Sequence, residues 1–188
     1  MKLEGKCAIV TGGGGAIGRS IVRRLASHGA KIAVFDIDEN SAGNAAREIP
    51  EGGKAMYLGV DVSNFDSVMK SVEKVVAEFG SADILVNSAG GSARGEMRVF
   101  HEQKIEVVNS MLGVNLFGAL HLIRAVSPYM IRENGGRIIN ITSIVALGGM
   151  RACTEYAAAK GGILAATKCL AIELGQHNVT VNCVSPGK

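Results

Sequence analysis

Cys7-Ala8-Ile9-Val10-Thr11-Gly12-Gly13-Gly14-Gly15-Ala16-Ile17-Gly18 is the stretch that decides the fold. Residues 7–10 form a short apolar run, long enough for a buried strand and far too short to cross a membrane. Past the glycines, Ile17, Ile21, Val22 and Leu25 recur at helical spacing up to Ser27-His28-Gly29, where Gly29 suits a helix C-cap. The order strand, glycine-rich turn, helix is the setting in which Gly13, Gly15 and Gly18 read as a G-x-G-x-x-G fingerprint. Glycines let the backbone take positive φ and come close to a pyrophosphate, and the helix that follows offers it free N–H groups and a positive dipole end. The next apolar run, residues 31–35, ends at Asp36. An acid about 20 positions past the glycines is placed to accept hydrogen bonds from an adenosine ribose. Its charge repels a 2′-phosphate, and neither Gly15 nor Ile37 supplies a cation to hold one, so NAD is expected over NADP.

Strands and helices go on alternating. Asp38 is expected to cap a helix to about Ile49, broken by Pro50 and Gly52-Gly53. A third strand covers residues 55–60 and stops at Asp61. Ser63 with Asp66 resembles a capping box for a helix to about Phe79. Ile84-Leu85-Val86 makes a fourth strand ending at Asn87-Ser88-Ala89-Gly90. A loop over 91–97 leads into long helical patterning, broken or bent, as far as Met130. Residues 136–141 read as a fifth strand, a helix carries Tyr156 to about Leu174, and residues 179–184 are the sixth strand. Ile/Val runs separated by amphipathic helices predict an α/β fold, a doubly wound parallel sheet of Rossmann type covered on both faces.

At 188 residues the chain suits one domain with a real core. With 47% hydrophobic and 20% charged residues it is not a disordered sequence. The net charge of +3 is scattered and aromatics make up only 4%, so a nucleic-acid partner is not expected, and neither is a membrane. Cys7, Cys153, Cys169 and Cys183 form no C-x-x-C pair, which fits reduced thiols in a cytoplasmic protein. The four histidines match no metal-ligand spacing, so no metal site is expected.

Tyr156 and Lys160 stand at i and i+4 in a stretch of helix formers and therefore share one helix face. A permanent positive charge beside a tyrosine hydroxyl favours its ionised form and makes the phenol a usable acid–base group. Taken alone the pair is common on solvated helices. It gains weight from the glycine turn at the other end of the chain.

Together these segments resemble the short-chain dehydrogenase/reductase family, in its compact single-domain branch, over essentially the whole chain. Thr11 to Gly18 looks like that family's T-G-x-x-x-G-x-G turn, with Ala16 in place of the middle glycine. Asp61-Val62 resembles its adenine-contacting pair, and Asn87-Ser88-Ala89-Gly90 its N-N-A-G segment, with Ser88 replacing an asparagine. Asn115, Ser143, Tyr156 and Lys160 fall where the family's catalytic tetrad belongs, and Pro186-Gly187 where a turn touches the nicotinamide end. The resemblance implies cofactor contacts from Gly12, Gly14, Gly15, Ile17, Gly18, Asp36, Ile37, Asp61, Val62, Asn87, Ala89, Gly90, Tyr156, Lys160, Pro186 and Gly187.

It also implies roles. Tyr156 passes a proton to or from the substrate oxygen, Ser143 holds that oxygen, Lys160 assists Tyr156 and bonds the nicotinamide ribose, and Asn115 anchors a relaying water. The expected activity is NAD-dependent interconversion of a secondary alcohol and a ketone. A 3-oxoacyl-thioester reductase, with Arg94, Arg98 and Arg151 meeting a carrier or coenzyme A, is the alternative within the enzyme class, although Asp36 argues against the NADPH such reductases commonly use. A nucleotide-binding scaffold without catalysis is the alternative outside it. The small-residue helix after Tyr156 and the resemblance imply a homodimer or homotetramer. Six strands are expected in a single domain, 1–188, without the lid, further helix and seventh strand that the family places after this point.

Overall fold

The computed structural model describes residues 2–92 and 94–187; Met1, Ala93 and Lys188 of the expected domain lie outside the described residues. Six parallel strands make one sheet in the order β3-β2-β1-β4-β5-β6: β1 (Cys7–Thr11), β2 (Lys31–Asp36), β3 (Ala55–Gly59), β4 (Ile84–Asn87), β5 (Gly136–Ile141) and β6 (Val179–Val184). The helices between them are α1 (Ala16–Ala26), α2 (Glu39–Arg47), α3 (Phe65–Phe79), α4 (Ile105–Leu112), α5 (Gly118–Arg132), the single turn α6 (Val145–Gly148) and α7 (Thr154–Gly175). Sequence alternation and layer agree. Along β1, Cys7 and Ile9 face a core shared with Val72 of α3, Leu122 of α5 and Leu174 of α7, while Ala8 and Val10 face one shared with Val22 of α1 and Ala45 of α2.

Most boundaries fall where the periodicity puts them, and the exceptions have local causes. Asn64, not Ser63, caps α3: its side-chain oxygen accepts from the Ser67 N–H at 3.0 Å, while Ser63 turns back to bond the Asp61 carboxylate. Helix α1 ends at Ala26 with Ser27 as its cap, two residues before Gly29, which takes the left-handed position at φ 95°. The long helical stretch 105–132 is continuous but carries one π turn, Gly113–Phe117, which bulges it around Asn115. That stretch is long and apolar enough to cross a membrane by length and composition. In the fold, Leu122, Ile123, Val126 and Met130 are instead buried against the sheet.

Strand order reverses between β1 and β4, and polar side chains tie these two strands at both ends. At the carboxyl ends the Thr11 hydroxyl accepts from the Ser88 and Ala89 N–H groups at 3.1 and 3.0 Å. At the amino ends Asp83 accepts from the Cys7 N–H, the Ser81 hydroxyl and the Lys6 ammonium at 2.9, 2.6 and 2.9 Å. Deeper in, the Asn87 amide donates to Asn140 Oδ1 at 2.9 Å, and the Asn140 amide donates to Thr167 Oγ1 at 3.0 Å, linking β4, β5 and α7.

Burial pushes the Asp83 carboxyl up, but its three donors outweigh that and hold it below its ordinary value of 3.8. The unfolded chain therefore binds the proton more readily, and the stabilisation is complete above the ordinary value and lost as pH falls through the lower folded one. In denaturant titrations the stability gap between wild type and Asp83→Asn should be widest at neutral pH and shrink toward pH 3. A gap independent of pH would mean that the ionised carboxylate is not what the donors hold.

Candidate active site

The reversal at β1/β4 opens a cleft of about 700 Å³ at the carboxyl edge of the sheet, where open α/β sheets bind ligands. One wall is the glycine turn. Gly12 has φ +61°, and a Cβ there would stand 2.8 Å from the Ala89 backbone, so only glycine lets β1 and β4 close on each other at this point. Ala16, in the middle-glycine position, opens α1 and stays out of the positive-φ region, so its methyl is tolerated. No side chain caps α1 at Gly15, and the free N–H groups of its first turn are the chemistry that takes a phosphate.

The second wall is acidic. Asp36 Oδ2 accepts from the Gly14 N–H at 2.9 Å and Oδ1 from the Asp38 N–H at 3.2 Å, which fixes the carboxylate at the lip of the cleft. Asp38 and Glu39 follow it at the start of α2, and Arg19 of α1 is paired with Glu48 at 3.4 Å. Ile37, Asp61 and Val62 complete this side, and Ala89 and Gly90 form the floor. Of the expected cofactor contacts, Gly12, Gly15, Ile17, Gly18, Asp36, Ile37, Asp61, Val62, Ala89 and Gly90 all line the cleft. Gly14 lies behind it with its N–H on Asp36, and Asn87 lies beneath it in the sheet network. The cleft also takes in Ser88 of the fourth-strand segment, together with Val60, Ser63, Ser110 and Val114, which the sequence did not assign to it. Val60 and Ser63 flank Asp61-Val62, Ser110 comes from α4 and Val114 from the π turn.

Past the floor stand Asn115, Lys160, Tyr156 and Ser143. The π turn brings Asn115 inward and buries it: its Oδ1 accepts from the Gly91 N–H at 3.1 Å and its Nδ2 donates to the Gly91 and Met111 carbonyls, each at 3.1 Å. Lys160, 5% exposed, donates from Nζ to the Ile141 carbonyl at the end of β5 at 3.0 Å. Gly90, φ +146°, is the joint between these groups, since a Cβ there would run into Asn115 Oδ1 and stand 3.1 Å from Lys160 Nζ. Lys160 Nζ also lies 5.9 Å from the centre of the Tyr156 ring, within cation–π range. Ser143 follows β5, is 8% exposed, and its Oγ accepts from the Val145 N–H at 3.2 Å. Its neighbour Ile144 donates from its N–H to the Pro186 carbonyl at 3.2 Å, which brings the 186–187 turn against the Ser143 segment.

Burial lowers the Lys160 ammonium from 10.5 to about 8. The sequence alone reads this charge as permanent; the fold makes it titratable. At pH 7, one unit below that value, about nine in ten molecules still carry the charge.

A family model described as short chain dehydrogenase matches residues 6–188. The chain belongs to that family. It is accordingly a Rossmann-type oxidoreductase acting at CH–OH or C=O groups with a nicotinamide cofactor. Among its relatives are the 3-oxoacyl-(acyl-carrier-protein) reductases of Chlamydia muridarum, 38% identical over 98% of this chain and 74% of the relative, and of Escherichia coli, 39% identical over 100% and 75%. A hydroxy(phenyl)methylsuccinyl-CoA dehydrogenase subunit of Thauera aromatica is 36% identical over 100% of this chain and 74% of its own length. Among solved structures, an NAD+-bound xylitol dehydrogenase superimposes with a TM-score of 0.96 at 34% identity, covering 100% of this chain and 72% of that one.

The residues present fit such a cofactor: an uncapped, glycine-lined helix start for phosphates and a fixed carboxylate at the far end for a ribose. Nitrogen-detected NMR of the lysine side chains should show one amine titrating near pH 8 that disappears in Lys160→Arg. If every lysine titrates above 10, the amine is more solvated than this site allows.

Proposed function

We propose that this protein interconverts a secondary alcohol and a ketone with NAD(H), through Tyr156, Lys160, Ser143 and Asn115. The observation that carries the reading is the Lys160 amine, buried beside Gly90, Asn115 and the Tyr156 ring at the end of the cofactor cleft. A nicotinamide cofactor bound in this cleft would supply or accept the hydride. Tyr156 donates the proton to the carbonyl oxygen in reduction and takes it back in oxidation. Lys160, charged at neutral pH, stabilises the phenolate left behind. The Ser143 hydroxyl donates to the substrate oxygen as negative charge grows on it. Asn115 shapes the backbone around Gly91 so that a proton path to Lys160 can open toward solvent.

The acidic start of α2 supports NAD over NADP: a 2′-phosphate there would meet Asp36, Asp38 and Glu39, while Arg19 on α1 is paired with Glu48. The NAD+-bound state of the xylitol dehydrogenase neighbour supports the same preference. We take the contacts from Gly14, Asn87, Pro186 and Gly187 as indirect, through the walls they hold. We also read residues 1–188 as one cofactor-binding and catalytic domain, because a single sheet edge carries both groups of residues. The four cysteines are free thiols, which supports a cytoplasmic setting. Ile105, Phe117 and Ile172 are 61%, 50% and 82% exposed on α4, the π turn and α7, apolar surface that supports pairing of these helices in a homo-oligomer.

A second reading, a 3-oxoacyl-thioester as the ketone, is favoured by the names of the relatives and by Arg94, Arg98 and Arg151. All three arginines are exposed on the segments flanking the catalytic edge, where they suit a phosphopantetheine phosphate. NADH oxidation should be followed with acetoacetyl-CoA and with simple ketones, and NAD+ reduction with polyols and secondary alcohols. Turnover of the thioester alone selects the second reading. Tyr156→Phe should lower kcat by about 100-fold or more with NADH affinity nearly unchanged, the range for loss of a general acid. Undiminished turnover removes Tyr156 from the chemistry.

A further inference from the structure

Glu155 precedes Tyr156 in the first turn of α7, is 3% exposed, and carries no role in the reading above. Its Oε1 accepts from the Gln103 side-chain amide at 3.0 Å, and the same Gln103 nitrogen donates to the Glu96 carbonyl at 2.9 Å. Its Oε2 is buried and has no hydrogen-bond partner among the described residues. A buried carboxylate with one oxygen unmet is costly, and its charge adds to burial in pushing the Cys153 thiol up.

The Gln103 amide therefore ties together two pieces of chain. One is the segment that leaves β4 and runs through two short 3-10 turns, Arg94–Glu96 and Phe100–Glu102. The other is the start of the helix that presents Tyr156. At its beginning the same segment is held by Gly91, whose N–H and carbonyl both bond Asn115. It is thus fastened to Asn115 at its start and to the neighbour of Tyr156 at its end, with Arg94, Gly95, Glu96 and Arg98 exposed between. We propose that Glu155 and Gln103 form a latch that fixes this segment as a wall of the substrate pocket, making both positioning residues for the ketone and not for the cofactor. The claim about the ketone rests on the oxidoreductase reading; the latch itself does not.

Gln103→Ala is the decisive variant, because Gln103 is only partly buried and its loss leaves the core intact. Limited trypsinolysis reads the latch directly, since Arg94 and Arg98 are exposed within the segment. Cleavage there should quicken by roughly tenfold in Gln103→Ala and Glu155→Ala, with the rest of the chain still protected, as for local opening. KM for whichever ketone the wild type reduces should rise by about tenfold, while kcat and NADH affinity stay within about twofold. Glu155→Gln keeps the acceptor for Gln103, and its new NH2 breaks no bond, so wild-type cleavage and KM should return, with a melting temperature no lower. Unchanged cleavage in Gln103→Ala overturns the latch. An opened segment with unchanged KM overturns its role toward substrate. A wild type that binds no NADH defeats the oxidoreductase reading, and the cleavage rates still decide the latch.

Discussion

The fold turns on the Thr11 hydroxyl accepting two backbone N–H groups from Ser88 and Ala89 where the strand order reverses. Parallel strands need crossovers, and the crossover from β1 goes one way across the sheet while that from β4 goes the other. The two chains must part at their carboxyl ends, and a cleft opens between them. Thr11 keeps the parting from spreading, and Gly12 lets the backbones touch just beneath it. Asp83 performs the matching task at the opposite end, so β1 and β4 are fixed along their whole length. A ligand at this edge meets a rigid floor.

The site uses that rigidity. Lys160 reaches the floor from α7, Asn115 from the bulged helix, and Gly90 yields space to both. A fully regular helix over 105–132 would advance by 100° per residue and turn Asn115 away; the π turn resets that phase in one step. Burial then makes an ordinary lysine titrate near pH 8, so its charge responds to conditions close to neutrality. The Asn87–Asn140–Thr167 chain runs beneath these groups and fixes β4, β5 and α7 relative to one another.

Much of this was legible because it is local. Apolar period, glycine turns and helix caps are set by neighbours in sequence, so all six strands and the strand–turn–helix of the cleft follow from the residues. The Tyr156/Lys160 face follows from helical geometry alone. What could not be read depends on distant partners. Asn64 beats Ser63 as a cap because Asp61 captures the Ser63 hydroxyl, a choice between two adequate residues. The π turn is bracketed by Gly113 and Gly118, which mark a break or bend in the helix but not the extra residue in its turn. Lys160 looks permanently charged until the fold removes its water. Glu155 looks like an ordinary first-turn acid until Gln103, 52 positions earlier, is seen to donate to it. The family resemblance pointed to the candidate catalytic residues, but it carried no signal for these.

The central claim is that one sheet edge, split at β1/β4, binds the nicotinamide cofactor and performs the chemistry. Hydrogen–deuterium exchange with and without NADH tests it most directly. Added protection should fall on residues 12–18, 60–63 and 88–91 and be absent at the opposite edge, around Gly29 and Glu51–Lys54. Protection centred on that opposite edge, or none at saturating NADH, would contradict the account.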